Sequence, residues 1–345
     1  MDVAILHLGD DIHPAHEGFA DSINADLVSC STTGVSPHSL ESFISEFRKG
    51  SQINRYDVLI AEGARPLYAG LIAKARSGAS LIYLCAEHRL YQLIESEVDV
   101  HSFYTQIKSI IGKYGLPGIS RVLRYSVDGI ISVSDFMKDY LDRLLNGSTP
   151  IRVAHPYIQQ PLFDDLGELS PTPDSKIVTT VGRSADYKGV DLLVEAWKEV
   201  HTQHPEAELH IVGDGHPTEY QSVNGVNVLG YVDDLATEYG KSGLYVRPSR
   251  VDAFPVSVLE SLRSGTPAIV TETTGTKSEL GKISKRFIIK PNSDSLADGI
   301  NWWFSLPIKT RREFSARSKE VGSEFDPESR KNKFSEEFRQ LTSEI

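Results

Sequence analysis

Short apolar runs recur along the first half of the chain, and stretches with helical spacing separate them. Residues 3–6, 25–28, 57–61 and 80–84 predict strands, with helices over 37–49 and 66–77 between them. Residues 128–133 predict a further strand, followed by Ser134 as the cap of a helix ending near Leu145. Similar runs return over 177–181, 209–212, 243–246 and 268–271. Strands alternating with helices predict doubly wound parallel sheets, an α/β fold. Between 161 and 174 the pattern breaks into prolines, acids and small residues, as expected of an interdomain linker. Two more helices are predicted from Lys309 onward and over 326–343.

Composition narrows this picture. A length of 345 residues suggests two domains on a prior of roughly 150 residues each. The chain is 40% apolar and 24% charged, enough to bury two cores in water. Its net charge of 36 − 47 = −11 argues against nucleic acid as a main partner. Cys30 and Cys85 each close a predicted strand, where buried thiols are common, so neither a disulfide framework nor a metal site is expected. No leader pattern opens the chain, and no apolar run approaches the roughly 20 residues that span a bilayer. The expectation is a cytoplasmic protein. One local reversal of charge stands out: Lys108, Lys113, Arg121 and Arg124 lie in an acid-free stretch interleaved with apolar residues. It reads either as two core helices with solvated charges or as a peripheral contact with anionic lipid at the inner face of a membrane.

The candidate chemistry concentrates in the second half. Asp252 and Glu260 stand eight residues apart, the first on a loop after a strand and the second inside the next helix. Pro255 suits that helix's first turn, and the amides of Val256, Ser257 and Val258 offer an anion a helix N-terminus. Upstream, the strand 177–181 runs into Gly182, with Arg183 and Lys188 on the loop that follows. Two cations at the carboxyl end of a strand can hold a pyrophosphate, Arg by its planar fork and Lys as a point charge. His13 and His16 read as loop residues, and the acid pairs Asp10-Asp11, Asp164-Asp165 and Asp233-Asp234 as turns.

In order and spacing these segments resemble the donor-binding motifs of the family-4 retaining glycosyltransferases (glycosyl transferases group 1). Phe254, Pro255, Glu260, Gly265 and Pro267 match the signature, as do Gly182, Arg183 and Lys188. Asp252 replaces a glutamate and Ala253 a glycine. The resemblance implies a GT-B fold, two Rossmann-like doubly wound domains facing a cleft. Residues 1–170 would bind the acceptor, 171–310 the nucleotide sugar, and 311–345 would return to the first domain. It also implies donor contacts at Gly182, Val232, Ala253, Phe254, Val256, Ser257, Gly275 and Thr276, with main chain near Val232 reading the base. Glu260 would accept from the ribose hydroxyls and Asp252 would orient the transferred sugar. On the acceptor side, Gly9 stands where the family often has a Gly-Gly loop, and His88 follows a strand where many relatives place a histidine facing the reacting sugar.

The activity so implied is metal-independent hexosyl transfer, with retention, from a UDP- or GDP-sugar co-substrate to a carbohydrate or lipid-linked acceptor hydroxyl, without a cofactor. Catalysis would fall to Arg183, Lys188, Asp252, Glu260 and His88. Two other readings stay open: a nucleotide-sugar 2-epimerase, and a binding protein that kept the nucleotide site and lost the chemistry.

Overall fold

In a computed structural model of the chain, residues 1–8, 14–30, 40–86 and 120–345 are described, apart from the side chains of 40–43. They divide into two compact units, Met1–Pro156 with Glu328–Ile345, and Tyr157–Pro327.

The first unit holds a six-stranded parallel sheet: β1 (Val3–His7), β2 (Asp26–Ser29), β3 (Val58–Glu62), β4 (Ser80–Cys85), β5 (Gly129–Ser132) and β6 (Ile151–Val153) in the order β2-β1-β3-β4-β5-β6. All of β1 and all but the last residue of β3 are buried, as helices on both faces of a parallel sheet require. Local signals set the helix ends. Pro66 opens the helix Pro66–Ser77 and Gly78, in the left-handed region, closes it. The Ser134 hydroxyl accepts from the Met137 amide at 3.2 Å, capping the helix Asp135–Leu145 as its sequence predicts. The last helix, Pro327–Glu344, buries Phe334, Phe338 and Leu341, and Phe334 stacks on Phe19 with ring centroids 4.2 Å apart.

The second unit repeats the architecture with β7 (Ile177–Val181), β8 (Glu208–Val212), β9 (Val226–Gly230), β10 (Leu244–Arg247), β11 (Ala268–Thr271) and β12 (Ile288–Ile289), ordered β12-β11-β10-β7-β8-β9. This is the doubly wound dinucleotide-fold order, and its strand order reverses between β7 and β10. Trp197 and Trp303, both fully buried, sit on the helices Val190–Gln203 and Ser293–Ser305, which pack together.

Three expectations need correction. Residues 161–174 are not simply a linker, because the helix Gln160–Glu168 opens there. Pro161 lies in the helix's first turn, where proline starts a helix rather than breaking one. Asp164 and Asp165 are therefore helical, and Gln160 donates to both Asp164 oxygens at 2.9 and 3.0 Å. His16 likewise lies in a helix, Pro14–Ser22, with Pro14 again at its start. Gly9, His13, His88 and Asp10-Asp11 fall outside the described residues, as does the basic stretch up to residue 119.

Candidate active site

The carboxyl ends of β7 and β10 are the place where the second sheet's order reverses, and ligands of open α/β sheets bind at such points. Four charged side chains gather there. Gly182 follows β7 with φ +148°, and a methyl added to it would lie 2.8 Å from Lys188 Nζ and 3.0 Å from Arg247 Nη1. The missing side chain is what lets two cations meet at one point. Lys188 is brought there by a single 3-10 turn, Asp186–Lys188. That turn ends at Gly189, whose added methyl would strike the Pro248 carbonyl at 2.1 Å. The Arg250 amide donates to the Tyr187 carbonyl at 2.8 Å, and the Arg250 guanidinium pairs both nitrogens with Asp191 at 2.8 and 2.6 Å. The two loops are thus tied along their backbones and again by a side-chain fork.

Arg247 closes β10 and is only 5% exposed. Its Nη1 donates to the Val181 carbonyl at 2.7 Å, and Nε and Nη2 donate to Asp252 Oδ2 at 3.2 and 2.5 Å. Burial, then the charge of Arg247, lower the Lys188 ammonium to about 8; Asp252 pulls the other way, and Arg183 adds a smaller lowering. Arg183 itself is exposed beside Gly182.

The second carboxylate sits across the helix start. Pro255 precedes the helix Val256–Arg263 and takes the Val258 amide on its carbonyl at 3.1 Å, so two amides, Val256 and Ser257, rather than the expected three, remain open to an anion. Glu260 Oε2 accepts from the Tyr239 hydroxyl at 2.8 Å, which also donates to the Ser257 carbonyl at 3.1 Å. Burial pushes the Glu260 carboxyl upward, opposed by Tyr239 and Arg247. The Gly275-Thr276 turn is pinned to Asp252: the Gly275 amide donates to the Asp252 carbonyl at 2.9 Å, and the Asp252 amide to the Thr273 carbonyl at 3.2 Å. Thr276 is fully buried, yet its hydroxyl has no hydrogen-bond partner among the described residues. Such an atom calls for a ligand or water.

The family model described as glycosyl transferases group 1 matches residues 165–321. That span, a little under half of the chain, is similar to the group 1 glycosyltransferases. Over 116 residues the chain is 32% identical to mannosylfructose-phosphate synthase of Agrobacterium fabrum, covering 28% of this chain and 26% of that protein. It covers about a quarter to about a half of the length of such curated relatives. Among solved structures, sucrose-phosphate synthase from Thermosynechococcus elongatus aligns over 100% of both chains, with TM-score 0.75 and 17% identity. Anabaena HepE in complex with UDP and glucose also aligns over 100% of both, with TM-score 0.72 and 15% identity. The fold is that of GT-B glycosyltransferases.

Within the matched span, the structure gathers Gly182, Lys188 and Asp252 about Arg247, with Arg183 alongside. Ala253 and Phe254 are buried beside them in sequence, with the Phe254 ring 6.1 Å from that of Phe325. Val232 is linked more loosely. It follows β9, whose Gly230 carbonyl accepts from the Gly213 amide at 2.7 Å, while the Gly182 amide donates to the Val212 carbonyl at 2.8 Å. The sequence reading gave Arg247 no role. Its signal was a lone cation ending the apolar run of a central strand, where a surface charge is not expected. Also missed was a pair at the corresponding point of the first unit: His16 Nδ1 lies 2.5 Å from Glu62 Oε1, where β3 ends. Among the described residues no group of three or more His, Cys, Asp or Glu could hold a metal ion. No described helix is long and apolar enough to cross a membrane.

Proposed function

We propose that the chain is a retaining glycosyltransferase that moves a hexosyl group from a UDP- or GDP-sugar to a hydroxyl of a carbohydrate or lipid-linked acceptor. The observation that carries this reading is the meeting of Lys188 and Arg247 over Gly182 at the switch point of a group 1 domain, with Asp252 and Glu260 at their expected spacing. Lys188, Arg183 and the Val256 and Ser257 amides would neutralise charge growing on the departing pyrophosphate, so the protein's own groups, and not a metal, would do this work. Preorganised donors of this kind are each worth roughly 10²–10³ in turnover. Glu260, steadied by Tyr239, is suited to accept from ribose hydroxyls. HepE, which shares the fold, has been solved with UDP and glucose and with UDP-glucose, and this supports a uridine donor.

One observation favours a binder without turnover, namely that Arg247 already occupies one oxygen of Asp252. Incubation with sugar nucleotides and a panel of sugar and lipid-phosphate acceptors, read by NMR at the anomeric carbon, separates the readings. Transfer with unchanged anomeric configuration is expected. An inverted product contradicts the mechanism, donor binding with no product supports the binder, and a 2-epimer formed without acceptor supports the epimerase.

A further inference from the structure

Arg247 is placed differently from the other cations of the site. Arg183 is exposed, whereas the Arg247 guanidinium is almost wholly buried and already committed. One prong goes to the Val181 carbonyl, and Nε and Nη2 both go to a single carboxylate oxygen, Asp252 Oδ2. The other oxygen, Oδ1, has no hydrogen-bond partner among the described residues. The Asp252 backbone is fixed on both sides, by its amide to the Thr273 carbonyl and by its carbonyl to the Gly275 amide. Main chain and side chain are therefore both immobilised, and one acceptor oxygen is left over.

We propose that Arg247 is a positioning residue for the transferred sugar: by holding Oδ2 of Asp252 it presents Oδ1 as a fixed acceptor for one hydroxyl of that sugar. The inference rests on the nucleotide-sugar reading of the site and adds the element that makes a short carboxylate sufficient. An aspartate falls about 1.5 Å, one C–C bond, short of a glutamate. A free aspartate would also turn about its two side-chain torsions. With the backbone held, two guanidinium donors converging on Oδ2 fix its place, and so both side-chain torsions and the direction of Oδ1, whereas an ammonium on a flexible stem offers no such rigid pair of donors. The same buried charge lies beside Lys188 and contributes to lowering its ammonium. Arg247 therefore acts on the sugar through Asp252, and on the phosphate side only through Lys188.

The test is calorimetry on the full chain, with UDP and UDP-glucose, GDP and GDP-mannose, and ADP and ADP-glucose, and with thermal melts to check folding. The quantity read is the affinity for the sugar nucleotide relative to the bare nucleotide. Arg247→Met should keep nucleotide affinity within about threefold while lowering that ratio about tenfold, the size expected for a hydrogen bond to a charged acceptor. Asp252→Asn should lower it similarly, and the double variant no further than either alone. Adding Asp252→Glu to Arg247→Met should restore the ratio, because the longer carboxylate reaches the sugar unaided. If Arg247→Met does not fold, Arg247→Lys carries the test, since it keeps the charge, loses the fork and should show the same fall. An unchanged ratio, additive losses, or equal weakening of nucleotide and sugar nucleotide overturns the inference while leaving the site reading intact. A wild type that binds none of the six overturns both.

Discussion

Lys188 is the residue whose chemistry the fold alters most usefully. Its ammonium is half-buried, with the charges of Arg247 and Arg183 nearby, and falls to about 8, so near neutral pH it is charged but poised. An anionic ligand at that point favours the protonated form. Nucleotide affinity should therefore weaken as pH rises through about 8, with proton uptake on binding in that range. Without ligand the sign differs. A lysine whose folded value lies below its unfolded one binds fewer protons when folded, so this group's contribution makes the protein more stable as pH rises from about 8 toward the ordinary lysine value. Calorimetry in buffers of different ionisation enthalpy between pH 7 and 9.5 measures the uptake. No proton linkage in that window would contradict the placement of Lys188. The acids and Lys188 are legible in the sequence as candidates because motif spacing along one loop or helix singles them out. Arg247 was not, because its role lies in a contact with the Val181 carbonyl on another strand, and spacing along its own segment does not encode that.

At the scale of elements, periodicity gives most strands to within a residue or two, most clearly the central ones, which lie between helices and are buried on both faces. It failed where proline carried the signal. His16 reads as a loop residue and 161–174 as a linker, yet Pro14 and Pro161 each stand in the first turn of a helix. The tiny strands β6 and β12 were also missed, since three and two residues give no periodicity to read. The terminal helix Pro327–Glu344 was legible as a helix, but its packing rests on single side chains. Phe334, fully buried and stacked on Phe19, should on replacement by alanine cost about 3–5 kcal/mol. The loss should fall on the first unit. Hydrogen exchange should speed in β1 and β3 and leave β7 and β10 unchanged, and uniform acceleration in both units would show that the two do not open independently.

For the whole molecule, two sheets of six parallel strands share one architecture but carry different loads. The second sheet, in dinucleotide-fold order, brings three cations and two carboxylates to its reversal point. The first brings a histidine and a glutamate to the end of β3. The architecture was legible because alternating strands and helices leave few topologies open. Which strand ends carry chemistry became legible only through motif resemblance, since the switch point exists in three dimensions and not along the chain. The central claim is that the ends of β7 and β10, with the start of the helix Val256–Arg263, bind a nucleoside diphosphate. Titration of UDP and GDP into the wild type, Lys188→Ala and Glu260→Ala tests it most directly. The account predicts that one of the two nucleotides binds the wild type and weakens about tenfold or more in each variant. Binding that is absent from the wild type, or unchanged in both variants, would contradict it.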